Sequence, residues 1–174
     1  MDLETWQTIV RLPAVQWVQA LAVQRRRGTP TRASATAAAV LAVPPAVVGL
    51  EPLVRFRRTG TTWHPHRPDE ASALVTTGAN AVTRNPMYVG LAGLLVAHAV
   101  HRRSVRALLP AALFVVSLDR GQVRREEEAL AAAFGQEWED YRDRVPRWVD
   151  ARTPALVRKA LAPLVGRLPG RHRG

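Results

Sequence analysis

The stretch RNPMYVGLAGLLVAHAV, residues 84–100, passes from a polar turn directly into an apolar segment. Asn85 is a residue type preferred at the N-cap of a helix, and Pro86 suits the first helical position. No Asp, Glu, Lys or Arg occurs between Asn85 and Val100. The pattern therefore predicts a helix that begins at Pro86 and whose sides are buried in protein or in lipid.

Two more uncharged stretches, Ala33–Leu50 and Ala107–Leu118, lie on either side of this one, and charged residues bound both. A helix needs about 20 apolar residues to cross the hydrocarbon core of a bilayer, and arginines at its ends can reach the interface. Ala33–Leu50 meets this length, whereas the shorter stretches need neighbouring helices or a locally thinner bilayer. We therefore favour membrane helices over the alternative, three buried helices of a soluble bundle.

The charge of the chain supports the same interpretation. The formal net charge is +11, and every basic residue except Lys159 is an arginine. Such a charge is typical of proteins that bind nucleic acid or an anionic membrane. Nucleic-acid-binding modules concentrate basic residues on a polar face, whereas these arginines flank apolar stretches. We therefore expect membrane lipid as a partner and no nucleic acid. The lack of cysteine excludes disulfides and thiolate metal sites.

The pattern along the chain predicts an all-α fold, because no segment alternates between apolar and polar residues with a period of two. The helix from Pro86 and the next, from about Val105, are separated only by a short turn, so they should be antiparallel neighbours. The polar loop before this hairpin and the acidic segment after it then lie on one side of the membrane. We predict a multi-pass membrane helical bundle of three to four transmembrane helices, followed by a C-terminal helical cofactor-binding region.

We divide the chain into three parts. Residues 1–32 form an N-terminal apolar or interfacial segment and a basic turn, residues 33–150 the core, and residues 151–174 a basic tail that we expect to be mobile. The first part either crosses the membrane at a tilt or lies in the interface. More Lys and Arg lie in the polar loop and the tail than in the turns on the other side, which favours a cytoplasmic position for the loop and tail.

The start of the hairpin is also a candidate binding site. Arg84 adds a full charge to the partial positive charge of a helix N-terminus, a combination that suits a carboxylate or a phosphate. Tyr88 offers a ring and a hydroxyl one turn later, and Gly90 allows another group or helix to approach closely. The alternative is a capped helix with an interfacial tyrosine and an arginine that reaches the membrane surface.

Glu126 and Glu127 lie on the same predicted side as Arg84. A solvated charge run is the usual interpretation of such a cluster. However, glutamates opposite Arg84 and a helix N-terminus would suit a zwitterion such as the amino-acid end of S-adenosylmethionine, whose ribose hydroxyls also bind carboxylates.

An ordered set of motifs lies within a range from about Thr36 to Trp148 that carries a family resemblance: Gly78, Arg84-Asn85-Pro86, Tyr88, Gly90, Glu126-Glu127, Leu130, Phe134-Gly135, Tyr141 and Val145-Pro146-Arg147. It resembles the isoprenylcysteine carboxyl methyltransferase-like family of integral-membrane methyltransferases, to which phospholipid methyltransferases are related. The resemblance implies that S-adenosylmethionine binds between the hairpin and the C-terminal helices. The residues implied as cofactor contacts are Gly78, Arg84, Asn85, Pro86, Tyr88, Gly90, Glu126 and Glu127.

The resemblance also implies roles nearer the methyl acceptor. By its place in the family pattern Arg147 would bind an anionic group of the substrate; the alternative is that it pairs with lipid phosphate. Tyr141 or a glutamate would serve as the base that an amine acceptor needs. His64 and His66 either rim the cofactor pocket or pack the loop; we expect no metal there, because zinc needs three or four ligands.

Asn85 departs from the eukaryotic carboxyl methyltransferases, which have histidine at this position, and bacterial-type relatives often have asparagine. The acceptor therefore stays open between a carboxylate, an amine and a thiol, on a lipophilic or small molecule. We expect an S-adenosylmethionine-dependent methyltransferase in a bacterial inner membrane, with its active site facing the cytoplasm. The alternative is a non-catalytic basic membrane protein that binds anionic lipid or a partner protein.

Overall fold

The computed structural model describes residues 12–59 and 73–165, and within these ranges it contains helices and no strand. This confirms the all-α prediction. The α-helices are α1 Pro13–Arg25, α2 Arg32–Thr59, α3 Pro86–His101, α4 Leu108–Arg120, α5 Gln122–Phe134, α6 Gln136–Arg144 and α7 Thr153–Val165, and short 3-10 helices occupy Gly78–Ala81 and Val105–Ala107.

Helices α1, α3 and α4 share one apolar core. Leu95, Phe114 and Leu118 are almost completely buried in it, and Ala20 of α1 packs against them. The predicted hairpin of α3 and α4 is therefore confirmed. Its polar start and the helices that follow α4 lie at one end of the bundle, as the short connection between the two helices requires.

Polar side chains of α1 bind the hairpin inside this core. The Trp17 indole donates a hydrogen bond of 3.0 Å to the Leu91 carbonyl. Gln24, which is fully buried, donates to the carbonyls of Leu95 (3.0 Å) and Ala107 (2.7 Å), and its oxygen lies 2.9 Å from His98 Nδ1. Because these bonds satisfy a buried amide completely, α1 is an integral element of the bundle.

Helix α2 crosses α3 at a contact between glycines. A Cβ atom placed on Gly90 would lie 2.6 Å from the Cα of Gly49 and 2.7 Å from the carbonyl oxygen of Pro45. Gly93 faces the ring of Pro45 in the same way. The prediction that Gly90 admits close approach is confirmed, and the group that approaches is the backbone of α2.

One helix among the described residues is long and apolar enough to cross a membrane, the Arg32–Arg55 part of α2. Only 11% of its most apolar window is buried within the protein. Its outward side chains include Val40, Val43, Val47 and Leu50, all more than half exposed. This helix is thus unlike the core helix of a soluble bundle. Helix α3 contains no Asp, Glu, Lys or Arg but is shorter.

Two features of the C-terminal part differ in how well they were predicted. Gly135 separates α5 from α6 with a φ of +50°, a conformation that glycine adopts without strain, and this break was predicted. Helix α7 lies within residues 151–174, where the sequence predicted only a mobile basic tail. The mobility of that tail stays a prediction.

The contact between α2 and α3 can be tested with Gly90→Ala. We expect this substitution to destabilise the protein by about 1–3 kcal/mol, because the added methyl group meets backbone that has little freedom to move. Thermal unfolding in detergent micelles measures the effect. Val96→Ile, which adds one methyl group on an exposed side of the same helix, is the control and should leave the melting temperature unchanged. Equal melting temperatures for all three proteins would contradict the proposed contact.

Candidate functional site

The turn before α3 lies along the segment that follows α6. The Thr83 hydroxyl donates to the carbonyl of Arg147 at 2.9 Å, and the backbone N–H of Arg84 donates to the carbonyl of Pro146 at 2.9 Å. Thr83 and Asn85 are both buried by this contact. The C-terminal segment is therefore fixed against the start of the hairpin.

Asn85 occupies its predicted place but not its predicted role. It is the residue before Pro86, which begins α3 as expected, yet its side chain does not cap the helix. Instead the Asn85 amide donates to the Arg147 carbonyl at 3.1 Å. Asn85 therefore leaves the first-turn amides of α3 uncapped, because its side chain holds the C-terminal segment.

Glu127 joins the two arginines that the sequence analysis selected. Its Oε1 accepts hydrogen bonds from Arg84 Nη2 at 2.8 Å and from Arg84 Nε and Arg147 Nε, each at 3.1 Å. A second ion pair joins Arg147 Nη2 to Glu127 Oε2. The side chains of Arg84 and Glu127 are only 9% and 13% exposed, whereas that of Arg147 is 34% exposed.

The remaining donors of Arg84 bind the end of α6. Its Nη1 donates to the carbonyls of Val145 at 2.8 Å and Arg142 at 2.9 Å. Its guanidinium also lies over the Trp138 ring, 5.7 Å from the centroid. The sequence predicted that Arg84 would present its charge to an anionic ligand, but these contacts occupy the guanidinium with partners from the protein itself.

The sequence patterns did not identify two residues of the site, Asp119 and Trp148. Arg147 Nη1 pairs with Asp119 at 3.1 Å, and the Trp148 indole donates to the same carboxylate oxygen at 2.7 Å. The available signal was the position of Asp119, which is the first charge after the uncharged stretch 107–118. That position indicates only where an apolar helix ends. It does not predict which residues bind the Asp119 carboxylate.

The protonation of Glu127 follows from its surroundings. Burial acts to raise the pKa of its carboxyl group, but the hydrogen bonds from Arg147 and Arg84 outweigh it and hold the pKa below the ordinary value. The bond to Glu127 likewise raises the pKa of Arg147. Glu127 and Arg147 are therefore both charged at neutral pH.

Glu126 faces Tyr88 next to this network. The Tyr88 hydroxyl donates to Glu126 Oε1 at 2.7 Å, and the Gln122 side chain donates to the same oxygen at 2.8 Å. Glu126 and Glu127 thus both point to the start of α3, and the structure brings together Arg84, Tyr88, Glu126, Glu127 and Arg147 from the predicted set.

Three other predicted residues have packing contacts. Gly78 has a φ of +64° and lies against the Glu51–Arg55 pair, and Gly90 meets α2 as described above. Tyr141 is buried, its hydroxyl donates to the carbonyl of Asn80 at 2.8 Å, and burial raises its pKa to about 12. A phenol in this state is a poor base.

His64 and His66, predicted to rim the site, lie outside the described residues. In the ranges that are described, no group of three or more His, Cys, Asp or Glu side chains is placed to hold a metal ion.

A family model described as phospholipid methyltransferase matches residues 35–137. The chain belongs to that family. The matched range begins in the first turn of α2 and extends past the end of α5, so it includes Arg84, Tyr88, Glu126 and Glu127, but it ends before Tyr141 and Arg147. The resemblance found in the sequence is thereby confirmed, and the protein is a methyltransferase-family member of a membrane-associated class. Neither the curated proteins nor the solved structures include a significant match to the chain.

The ion network can be tested with Glu127→Gln. The substitution leaves two guanidinium groups without their shared carboxylate, and we expect a loss of about 2–3 kcal/mol in stability. Glu128→Gln is a matched control, since Glu128 pairs only with the exposed Arg124 and should change stability by less than about 0.5 kcal/mol. Thermal unfolding in micelles compares the two. Equal effects at both positions would show that the network does not stabilise the fold.

The wild type and Glu127→Gln should also differ in how their stability depends on pH. A carboxyl group whose pKa is depressed in the folded state stabilises fully above its unfolded pKa, about 4.3, and loses this effect as pH falls through the folded pKa. The melting temperatures of wild type and Glu127→Gln should therefore differ by a constant amount from pH 7 to about pH 5 and converge below that. A constant difference down to pH 3 would contradict the charged state assigned to Glu127.

Proposed function

We propose that this protein transfers a methyl group from S-adenosylmethionine to a lipophilic acceptor at the membrane surface. The observation that carries the proposal is the convergence of Arg84, Tyr88, Glu126 and Glu127, all within the range matched by the phospholipid methyltransferase family, at the start of α3.

The charges in this region fit the cofactor. Glu126 and Glu127 bring two carboxylates to the start of α3. Carboxylates there favour the cationic sulfonium and ammonium groups. The first-turn amides of α3, which lack a side-chain cap, suit the carboxylate at the other end of the amino-acid moiety.

We assign different roles to the residues of the set. When bound, S-adenosylmethionine supplies a methyl group activated by its positively charged sulfur. Glu126, Tyr88 and the first turn of α3 hold the cofactor. Arg84 and Arg147 orient Glu127 and close the site against water, because their guanidinium groups already bind protein acceptors. Four further residues shape the backbone around the site, namely Gly78, Asn85, Pro86 and Gly90.

The family description favours a phospholipid as acceptor. An amine in its head group must lose a proton before the nitrogen can attack a methyl group. Glu126 is the base that we propose, since the arginines depress the pKa of Glu127 and the phenol of Tyr141 is held neutral. A carboxylate or thiolate acceptor would need no such base, so the effect of Glu126 on rate distinguishes these acceptors.

The arrangement in the membrane is part of the proposal. Helices α1 to α4 would form the membrane bundle, in which only α2 has the full length of a span. The site, α5, α6 and α7 would then face one side. The number of Lys and Arg residues in the polar loop and the tail favours the cytoplasmic face.

Calorimetry with the detergent-solubilised protein tests cofactor binding. We expect micromolar binding by the wild type and binding at least about tenfold weaker for Glu126→Gln, a loss of about 1.4 kcal/mol. Glu128→Gln, at an exposed position two residues away, should bind like the wild type. No binding by well-folded wild-type protein would overturn the proposal and favour a non-catalytic protein that binds anionic lipid or a partner.

Transfer of a labelled methyl group to phospholipid vesicles tests the acceptor. If the acceptor is an amine, Glu126→Gln should lower the rate at saturating cofactor, and a higher pH should restore part of it because the free amine becomes more abundant. A rate that Glu126→Gln leaves unchanged at saturating cofactor would point to an acceptor that is already a nucleophile.

A further inference from the structure

Among the described residues, the charged side chains at the end of the bundle opposite the candidate site are all arginines. It consists of the turn between α1 and α2 and the connection between α3 and α4. No Asp or Glu occurs in residues 12–50 or 86–118, which include both connections and the helix segments next to them. The arginines there are Arg25, Arg26, Arg27, Arg32, Arg102, Arg103 and Arg106, which we name the arginine patch.

The two connections form one rigid surface. The guanidinium of Arg102 donates to the carbonyls of Arg27 and Gly28, each at 2.7 Å. The Ser34 hydroxyl donates to the carbonyl of His101 at 2.9 Å. Gly28 has a φ of +60° and has no room for a Cβ beside the Arg102 carbonyl. These contacts fix the backbones from which the other arginines project.

The arginine patch differs from the arginines at the site end. Arg25, Arg26, Arg32, Arg103 and Arg106 are exposed. Among the described residues, the arginines in carboxylate ion pairs all come from the other end or from the C-terminal part, namely Arg55, Arg84, Arg124, Arg142, Arg147 and Arg152. Clustered cations repel one another, so a fixed group of them without carboxylates is suited to an external anion.

Exposed apolar side chains next to the arginine patch indicate where this anion would lie. Val105 is 83% exposed and stands next to Arg106, and Leu109 follows at 58%. On the other connection, exposed Val40 and Leu41 lie about two turns into α2 from Arg32. Side chains of this kind meet hydrocarbon while the arginines above them meet the head-group layer.

We propose that the arginine patch binds the phosphate groups of anionic phospholipids, in the leaflet opposite the candidate site. The guanidinium fork matches phosphate oxygens in two-point geometry, and a fixed group of such forks attracts anionic head groups. The ligand class is thus a glycerophospholipid with a net negative head group, bound at a surface that takes no part in methyl transfer.

Native mass spectrometry of the full-length protein in mixed phosphatidylglycerol and phosphatidylcholine micelles tests this binding. The test variant is R25Q/R26Q/R103Q/R106Q. The matched control, R120Q/R124Q/R125Q/R144Q, removes the same charge from exposed positions at the other end. We expect the wild type and the control to retain phosphatidylglycerol selectively, and the test variant to lose at least about tenfold in this preference.

The outcomes separate the proposal from its alternatives. Equal losses in both variants would reduce the effect to net charge, and a wild type without lipid preference would also overturn the proposal. Complete displacement of the lipid by millimolar inorganic phosphate would show a site for the free anion instead. Because Arg102 is left intact, the test variant should keep the wild-type melting temperature and S-adenosylmethionine binding, so failure here is distinguishable from failure of the proposed function.

Discussion

The carboxylate of Glu127 is the constraint on which the candidate site depends. It accepts hydrogen bonds from Arg84, which precedes α3, and from Arg147, which follows α6, and so joins segments 63 residues apart in the chain. A buried arginine is tolerated only where its donors have acceptors, and Arg84 finds the others at the carbonyls of Arg142 and Val145. Those carbonyls end a helix and would lack intrahelical partners. One ion pair therefore satisfies the polar groups of two elements at once.

This network is effective only because the hairpin itself is held in place. The glycine contact between Gly49 and Gly90 lets α2 lie directly on α3. Beyond that contact, Glu51 accepts the backbone N–H of Ala79 at 3.2 Å, while Tyr141 donates to the carbonyl of Asn80 from the other side. The 3-10 helix Gly78–Ala81 is thus held between α2 and α6. Some residues of the family pattern therefore hold the backbone in place. This explains why the pattern contains glycines and a buried phenol beside charged groups.

The sequence predicted the features that local signals determine. Pro86 marked the start of α3, Gly135 marked the break between α5 and α6, and the short turn after α3 required an antiparallel hairpin. Long-range partners were not predictable in this way. Spacing placed Arg84 and Glu127 on one side of the membrane, but whether such charges bind each other or a ligand depends on distances that no periodicity encodes. The use of Asn85 as a donor to Arg147 and the pairing of Asp119 with Trp148 have the same cause.

The pairing at the site end also explains the contrast between the two ends of the bundle. Opposite charges in nearly equal number can be buried, since each desolvated group has a partner, and Arg84 is accordingly almost inaccessible. Next to this network, the Glu126 carboxylate accepts hydrogen bonds from Tyr88 and Gln122. Within the described residues the arginine patch has no carboxylate partner, and five of its seven arginines are exposed. Arginines paired with carboxylates at one end and arginines without them at the other thus belong to one chain, so its net charge alone describes neither end.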